Sequence, residues 1–196
     1  MAIEADKQRK LNNDLERALI KRVAEKDRDS LSQLYLMYHG RIFKFVFRLT
    51  GSYTVADELV NDVMLLVWQK AATFRGESKV STWIFGITYR LTMRRITKKT
   101  LAICGHSDVN ELAADAEQPL ETEDWIRRGI DALPAAQQVT VILVFYLGLS
   151  YEEVAEVIKC PVNTVKTRMF HARRKLKSLL TEHATPGSFQ GEVTHE

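Results

Sequence analysis

A run of basic and polar side chains near the C-terminus could bind nucleic acid. Apolar residues recur there at helical intervals, which predicts the buried stripe of a helix: Val165, Met169, Ala172 and Leu176. The side chains around this stripe could donate to guanine edges or phosphates, and one ring could contact a thymine methyl group. We expect the following to contact duplex DNA: Thr164, Lys166, Thr167, Arg168, Phe170, His171, Arg173 and Arg174. An ordinary solvated helix is the alternative interpretation.

The residues before this helix predict a helix-turn-helix. Ser150 and Glu153 form a capping box, so we expect a short helix to begin one residue after the serine. Pro161 should end that helix, because the residue before a proline avoids the helical region, and the proline suits the first position of the next helix. The second helix has Lys and Arg but no acid from Lys166 to Lys177. Two short helices of this kind are typical of a DNA-binding unit.

A second basic helix follows a polar loop in the first half of the chain. Five Lys or Arg residues and no acid occur from Arg90 to Lys99. Ser81 or Thr82 should cap this helix, and the loop before it could pocket a base while the helix binds phosphates. Candidate contacts to a melted single strand are therefore Phe74, Arg75, Gly76, Ser78, Lys79, Ser81, Arg90, Arg94, Arg95 and Lys98. Trp83 could stack on a base, although an aromatic residue at helical spacing favours the core.

An acidic helix face between these segments suits contact with another protein. Thr54 and Asp57 form a second capping box, which predicts a long helix to about Ala72. Its outer side mixes acidic, amide and apolar groups: Asp57, Glu58, Asn61, Asp62, Leu65 and Gln69. Such a mixture favours docking on a basic protein helix over DNA binding. A solvated face, stabilised by acids in the first turn, is the alternative.

Helical periodicity, with no alternating stretch of strand length, predicts an all-α protein of two small helical domains joined by a flexible linker. We expect the chain to divide into a flexible N-terminus over residues 1–13, a first domain over 14–100, a linker over 101–122, a helix-turn-helix domain over 123–182 and a flexible tail over 183–196. Asn12 or Asn13 should cap the first helix, and Gly51 should end the second. In the second domain, a helix that begins at Pro134 should bury Tyr146.

Composition argues against several classes of protein. The 196-residue chain has a formal net charge of +3, with basic and acidic residues gathered in different helices, which suggests separate nucleic-acid and protein surfaces. It has neither the ~18 apolar residues of a membrane span nor a signal peptide, so we expect a cytoplasmic protein. Cys104 and Cys160 lack metal-ligand partners, which favours reduced thiols and leaves a redox role open. No phosphate loop, ligand cluster or activated nucleophile indicates an enzyme, and we expect no cofactor or metal.

Two stretches resemble a bacterial extracytoplasmic-function (ECF) sigma factor: ADELVNDVMLLVWQKAATFRGESKVSTWIFGITYRLTMRR and LPAAQQVTVILVFYLGLSYEEVAEVIKCPVNTVKTRMFHARRKL. The resemblance implies a first domain that binds the clamp helices of the largest RNA polymerase subunit and reads the melted minus-ten promoter element. It implies a second domain that binds the flap of the second-largest subunit and reads the minus-thirty-five element as duplex DNA. The implied base-reading residues are Lys166, Thr167, Phe170 and His171. An anti-sigma factor is also an implied partner.

Three residues depart from the family pattern. Asn61 stands where glutamine is usual, Met64 where an aromatic residue is frequent, and His171 where arginine is common. A different class of protein is a stand-alone helix-turn-helix repressor or activator whose N-terminal helices serve for dimerisation. That class gives no reason for an acidic helix followed by a polar loop and a second basic helix.

Overall fold

The computed structural model describes residues 2–105 and 127–183, and all regular structure within these ranges is helical. The helices have the following bounds: α1 Ala2–Ala24, α2 Arg28–Thr50, α3 Tyr53–Lys70, α4 Val80–Gly105, α5 Ala135–Val141, α6 Tyr151–Ile158 and α7 Val162–His183. Residues 127–131 are also helical, Ala71–Thr73 form a 3-10 turn, and Ile142–Tyr146 form a π-helical turn that continues α5. The predicted all-α class is confirmed.

The first four helices pack around one apolar core. Each contributes side chains without solvent exposure, such as Val23 of α1, Phe45 of α2, Val60 of α3 and Ile84 of α4. Gly51 ends α2 in the left-handed conformation, with φ 65°, as predicted. Because α1 shares this core, its position relative to α2, α3 and α4 is fixed by apolar packing.

Two predicted helix starts are wrong. α1 runs without a break through Asn12 and Asn13, so residues 2–13 are helical and neither asparagine is a cap. α3 is capped by Ser52, whose side chain accepts at 3.3 Å from the backbone amide three residues later, and Thr54 lies inside the first turn. Ser52 takes the cap because its backbone is extended, with φ −117° and ψ 121°, whereas Thr54 is already helical.

α4 is longer at both ends than predicted. It begins at Val80, so neither Ser81 nor Thr82 is its cap, and the Thr82 side chain is buried in the first turn. It continues to Gly105, because no proline interrupts it and the buried Gly86 near its start does not break it, and it takes in residues 101–105 of the predicted linker. The remainder of that linker and the tail beyond residue 183 lie outside the described residues.

The helix-turn-helix is formed by α6 and α7. Both halves of the capping box are present: Ser150 Oγ accepts from the Glu153 amide at 3.2 Å, and Glu153 Oε2 accepts from the Ser150 amide at 2.7 Å. Lys159 ends α6 in the left-handed conformation, with φ 54°. The Pro161 carbonyl accepts from the Thr164 amide at 2.9 Å, so the proline precedes α7 instead of opening it. Of the predicted apolar stripe of α7, Val165, Met169 and Ala172 are buried and Leu176 is half-buried near Gly129, and α7 packs against both α5 and α6.

The π-helical turn corrects one predicted core residue. Ile142 and Leu143 are buried as expected, but Tyr146 is 39% exposed. The Leu147 amide donates to the Ile142 carbonyl five residues back, at 3.3 Å, so this turn is wider than an α-turn. The wider turn rotates Tyr146 out of the apolar stripe, where its ring and hydroxyl meet Arg48 of α2.

Candidate polymerase and nucleic-acid interfaces

The outer face of α7 carries most of the predicted duplex contacts. The exposed ones are Lys166, Thr167, Phe170, His171, Arg173 and Arg174. Thr164 and Arg168 are half-buried at the margins of this face. The Phe170 ring is 64% exposed and meets the His171 ring edge-on, with 5.5 Å between the ring centroids. A ring this exposed on a basic helix is available to a thymine methyl group in the major groove.

The loop before α4 has a defined shape. Gly76 adopts the left-handed conformation, with φ 75°, and reverses the chain direction. The Phe74 ring packs on Trp83 with 5.5 Å between centroids, and Trp83 is half-buried beneath the loop. The backbone carbonyls of Gly76 and Ser78 accept hydrogen bonds from Arg17 of α1, at 3.1 and 3.4 Å. Nothing in the local sequence signals this last contact, because its partners are about sixty residues apart.

The basic side of α4 is open to solvent at four predicted positions: Arg90, Arg94, Arg95 and Lys98. Arg75 of the loop is exposed as well. Arg95 pairs with Glu58 of α3 at 2.7 Å between Nη2 and Oε2, and the two side chains are 49% and 51% exposed. The pair thus joins the predicted strand-binding face to the predicted polymerase-binding face. An exposed ion pair contributes only ~0–1 kcal/mol, so either group can exchange it for a macromolecular partner.

The outer side of α3 presents all six predicted polymerase contacts to solvent: Asp57, Glu58, Asn61, Asp62, Leu65 and Gln69. Leu65 is 54% exposed and forms the apolar centre of this acidic face. Met64 is buried in the core, so the departure from the family pattern there changes the packing and not the outer face. An apolar group surrounded by acids suits a basic protein helix.

The two helical domains contact each other through polar groups. Lys79 of the loop forms a salt bridge with Glu153 of α6, at 2.8 Å between Nζ and Oε1. Arg41 of α2 donates to the Leu147 carbonyl at 3.0 Å, and its guanidinium lies 4.8 Å from the centroid of the Phe85 ring. The contact between the Arg48 and Tyr146 side chains lies in the same interface. Sequence patterns do not reveal such contacts, because the partners are as many as 106 residues apart.

A polar cavity of about 390 Å³ lies between the two domains, with Glu16, Arg41 and Glu153 in its wall. Glu16 is only 8% exposed, and burial raises the pKa of its carboxyl group. The Tyr38 hydroxyl, the Arg41 guanidinium and the Ser81 amide oppose that rise. Burial, reinforced by the charge of Glu16, also raises the pKa of the Tyr38 hydroxyl. Glu16 of α1 therefore lies among groups from α2 and from the first turn of α4.

Two observations on the described part of the chain concern metal ions and membranes. Its His, Cys, Asp and Glu side chains form no group of three that could hold a metal ion. None of its helices is both long enough and apolar enough to cross a membrane. The Cys160 thiol is free and half-buried, with its Sγ 3.6 Å from the Pro161 carbonyl oxygen.

Two segments of the chain match models of known protein families. Residues 34–101 match sigma-70 region 2, and residues 123–176 match sigma-70 region 4. The ECF RNA polymerase sigma factor EcfG of Rhodopseudomonas palustris is 31% identical over 157 residues, which cover 78% of this chain and 86% of EcfG. The chain belongs to the ECF sigma factors of the sigma-70 family. Sigma factors are transcription regulators and not enzymes.

This ECF sigma factor is similar to others over most of their length. It is 27% identical to SigW of Bacillus subtilis over 178 residues, which cover 83% of this chain and 95% of SigW. The structure of the sigma factor RpoE in complex with the anti-sigma factor NepR from Bartonella quintana matches with a TM-score of 0.67 and 25% identity, over 76% of this chain and 96% of RpoE. CnrH in complex with the cytosolic domain of CnrY has the same fold, with a TM-score of 0.66 and 20% identity, over 86% of this chain and 98% of CnrH.

Proposed function

We propose that this ECF sigma factor binds core RNA polymerase and directs promoter-specific initiation of transcription. The observation that carries the proposal is the presence of three exposed faces in one chain. These are the acidic face of α3, the basic side of α4 with its loop, and the basic face of α7. A protein that joins polymerase to DNA requires all three, whereas a stand-alone repressor or activator requires only the last.

The acidic face of α3 is the proposed contact to the clamp helices of the largest polymerase subunit. Leu65 would supply the apolar anchor, and Asp57 and Asp62 the complementary charge around it. The second domain is proposed to bind the flap of the second-largest subunit. The proposed region 2 domain comprises residues 14–100, and the proposed region 4 domain comprises residues 123–182.

The two DNA contacts follow from the shapes of their surfaces. The basic side of α4 can follow the phosphates of a melted minus-ten strand while the loop holds an unstacked base. α7 can enter the major groove of the minus-thirty-five element, where Lys166 and Phe170 reach base edges and Arg174 reaches a phosphate. Each contact supplies part of the affinity, and their linkage within one chain raises the effective concentration of the second.

An anti-sigma factor is the proposed regulator. The RpoE structure contains the anti-sigma factor NepR, and RpoE is 25% identical to this chain. The described surface offers three exposed faces that such an inhibitor could cover, two in the first domain and one in the second.

Transcription in vitro with purified core polymerase tests the proposed function. A sigma factor starts RNA synthesis at discrete sites on a library of genomic fragments without help, and sequencing the RNA 5′ ends maps those sites. Synthesis that requires a second sigma factor would instead identify a repressor or activator.

One salt bridge between the domains uses Lys79, which is also a proposed contact to the melted DNA strand. Lys79 is paired with Glu153 of α6, so a melted strand that binds Lys79 must break this pair. Reading two promoter elements at once also requires the loop and α7 to reach separate segments of DNA. We therefore propose that the closed arrangement is a resting form that opens when the protein engages polymerase and promoter.

The double variant Arg41→Ala, Arg48→Ala should favour the open form. It removes two charged side chains from the interface. The partly buried hydrogen bond of Arg41 contributes about 1.5–3 kcal/mol, whereas the exposed contact of Arg48 contributes less because water screens it. Small-angle X-ray scattering of the free protein should show a larger radius of gyration than for the wild type. Lys44→Ala is the matched control, because Lys44 lies on the same helix and is exposed. Identical scattering from the double variant and the control would contradict the closed resting form.

A further inference from the structure

α1 lies outside the segment that matches sigma-70 region 2, yet it reaches the loop proposed to hold the melted strand. The region 2 match begins at residue 34, and α1 ends at Ala24. Leu19, Ile20 and Val23 anchor this helix in the core of the first domain. α1 is therefore a rigid support beside the loop.

Arg17 is the residue of α1 that contacts the loop. Its Nη2 donates to the Gly76 carbonyl at 3.1 Å and to the Ser78 carbonyl at 3.4 Å. Neither carbonyl takes part in a backbone–backbone hydrogen bond within the described residues, so the guanidinium supplies their partner. A side chain added at Gly76 would lie 3.5 Å from Arg17 Nη1, which shows that the guanidinium lies directly over this turn.

Two further contacts between described residues hold the ends of the loop. The stacking of Phe74 on Trp83 holds its first residue, and the salt bridge of Lys79 to Glu153 holds its last. The second of these restraints is lost when the domains separate. The hydrogen bonds from Arg17 come from the same domain as the loop, so they persist in the open form.

We propose that Arg17 is a positioning residue that presets the loop of region 2 for the melted promoter strand. The proposal rests on the proposed function of the loop. Fixing the backbone before the strand arrives lowers the ordering cost of binding, as preorganisation does in other interfaces. Arg17 acts through the loop carbonyls and does not itself need to touch DNA.

Hydrogen exchange measured by mass spectrometry, in the absence of DNA, tests whether Arg17 holds the loop in place. In Arg17→Ala, the Trp83 amide, which donates to the Lys79 carbonyl at the end of the loop at 3.1 Å, should exchange about fivefold faster than in the wild type, because the loop that carries its acceptor loses two hydrogen bonds. Arg22→Ala is the matched control, since Arg22 lies on the same helix but pairs with Asp27. Equal exchange of the Trp83 amide in the two variants would overturn the proposal.

A DNA-binding measurement then separates positioning from general destabilisation. Holoenzyme with Arg17→Ala should bind a pre-opened promoter roughly five- to tenfold more weakly, while its affinity for core polymerase and for the duplex minus-thirty-five element stays unchanged. Faster exchange of the Trp83 amide with unchanged binding to the pre-opened promoter would overturn the role of Arg17 and leave the proposed function intact. If the wild type itself fails to start transcription, the proposed function fails, and the exchange experiment still decides whether Arg17 holds the loop.

Discussion

An Asp62→Lys variant should no longer co-purify with core RNA polymerase. Asp62 is exposed at the centre of the outer side of α3, beside the apolar Leu65. A like charge facing a basic partner costs several kcal/mol, so affinity should fall at least about a hundredfold. The fold should persist, because the substituted side chain lies on the surface. Tagged sigma factor, purified core polymerase and a thermal melt measure both effects.

The control for this experiment is an acid-to-lysine substitution on a different helix. Asp14 is an exposed acid on α1, and Asp14→Lys alters the net charge of the protein by the same amount. This control should retain core polymerase. Undiminished co-purification of Asp62→Lys would exclude the outer side of α3 as the docking face, whatever role the other faces have.

A Lys166→Ala variant should lose affinity for the specific promoter and keep its affinity for scrambled DNA. Lys166 is exposed on the base-reading side of α7, and a specific base contact contributes about 1–3 kcal/mol, or roughly fivefold to 150-fold. The Lys166 charge also contributes to the lowered pKa of the Glu152 carboxyl group on α6, which is lowered mainly by hydrogen bonds at the start of that helix. Titration of holoenzyme with a labelled promoter and its scrambled counterpart measures the difference.

Arg174→Ala provides the contrast, because Arg174 is proposed to bind a phosphate. Its loss should weaken binding to both duplexes alike and reduce the slope of log affinity against log salt by about one. If Lys166→Ala shows that same uniform weakening, Lys166 contacts the backbone, and base reading must come from its neighbours on α7.

Features encoded by nearby residues were predictable from the sequence. The capping box of Ser150 and Glu153 and the left-handed Gly51 depend on a few consecutive residues, and both are present in the structure. The exposure of the three faces follows from helical periodicity, which needs only the order of polar and apolar residues. The family resemblance rested on the same segments, and the region 2 and region 4 matches confirm it.

The sequence does not predict which of two neighbouring residues caps a helix, where a helix changes its turn, or which residues far apart in the chain come into contact. Ser52 and Thr54 are both suitable caps, and only the backbone shows that the helix starts at the first of them. Tyr146 fits a helical stripe until the chain forms a π-turn, which the periodic pattern does not reveal. Arg17 donates a hydrogen bond to Gly76, 59 residues away, and Arg41 donates one to Leu147, 106 residues away. Local sequence patterns cannot identify contacts between residues so far apart.

The carboxylate of Glu153 has separate partners for its two oxygens. Oε2 accepts from the backbone at the start of α6, and Oε1 binds Lys79 of the other domain. The proposed parting of the domains would release only Oε1, so we expect the first turn of the helix-turn-helix to keep its cap. We therefore expect the proposed duplex reader to keep its first turn in both the closed and the open form, so that no refolding of this turn precedes DNA binding.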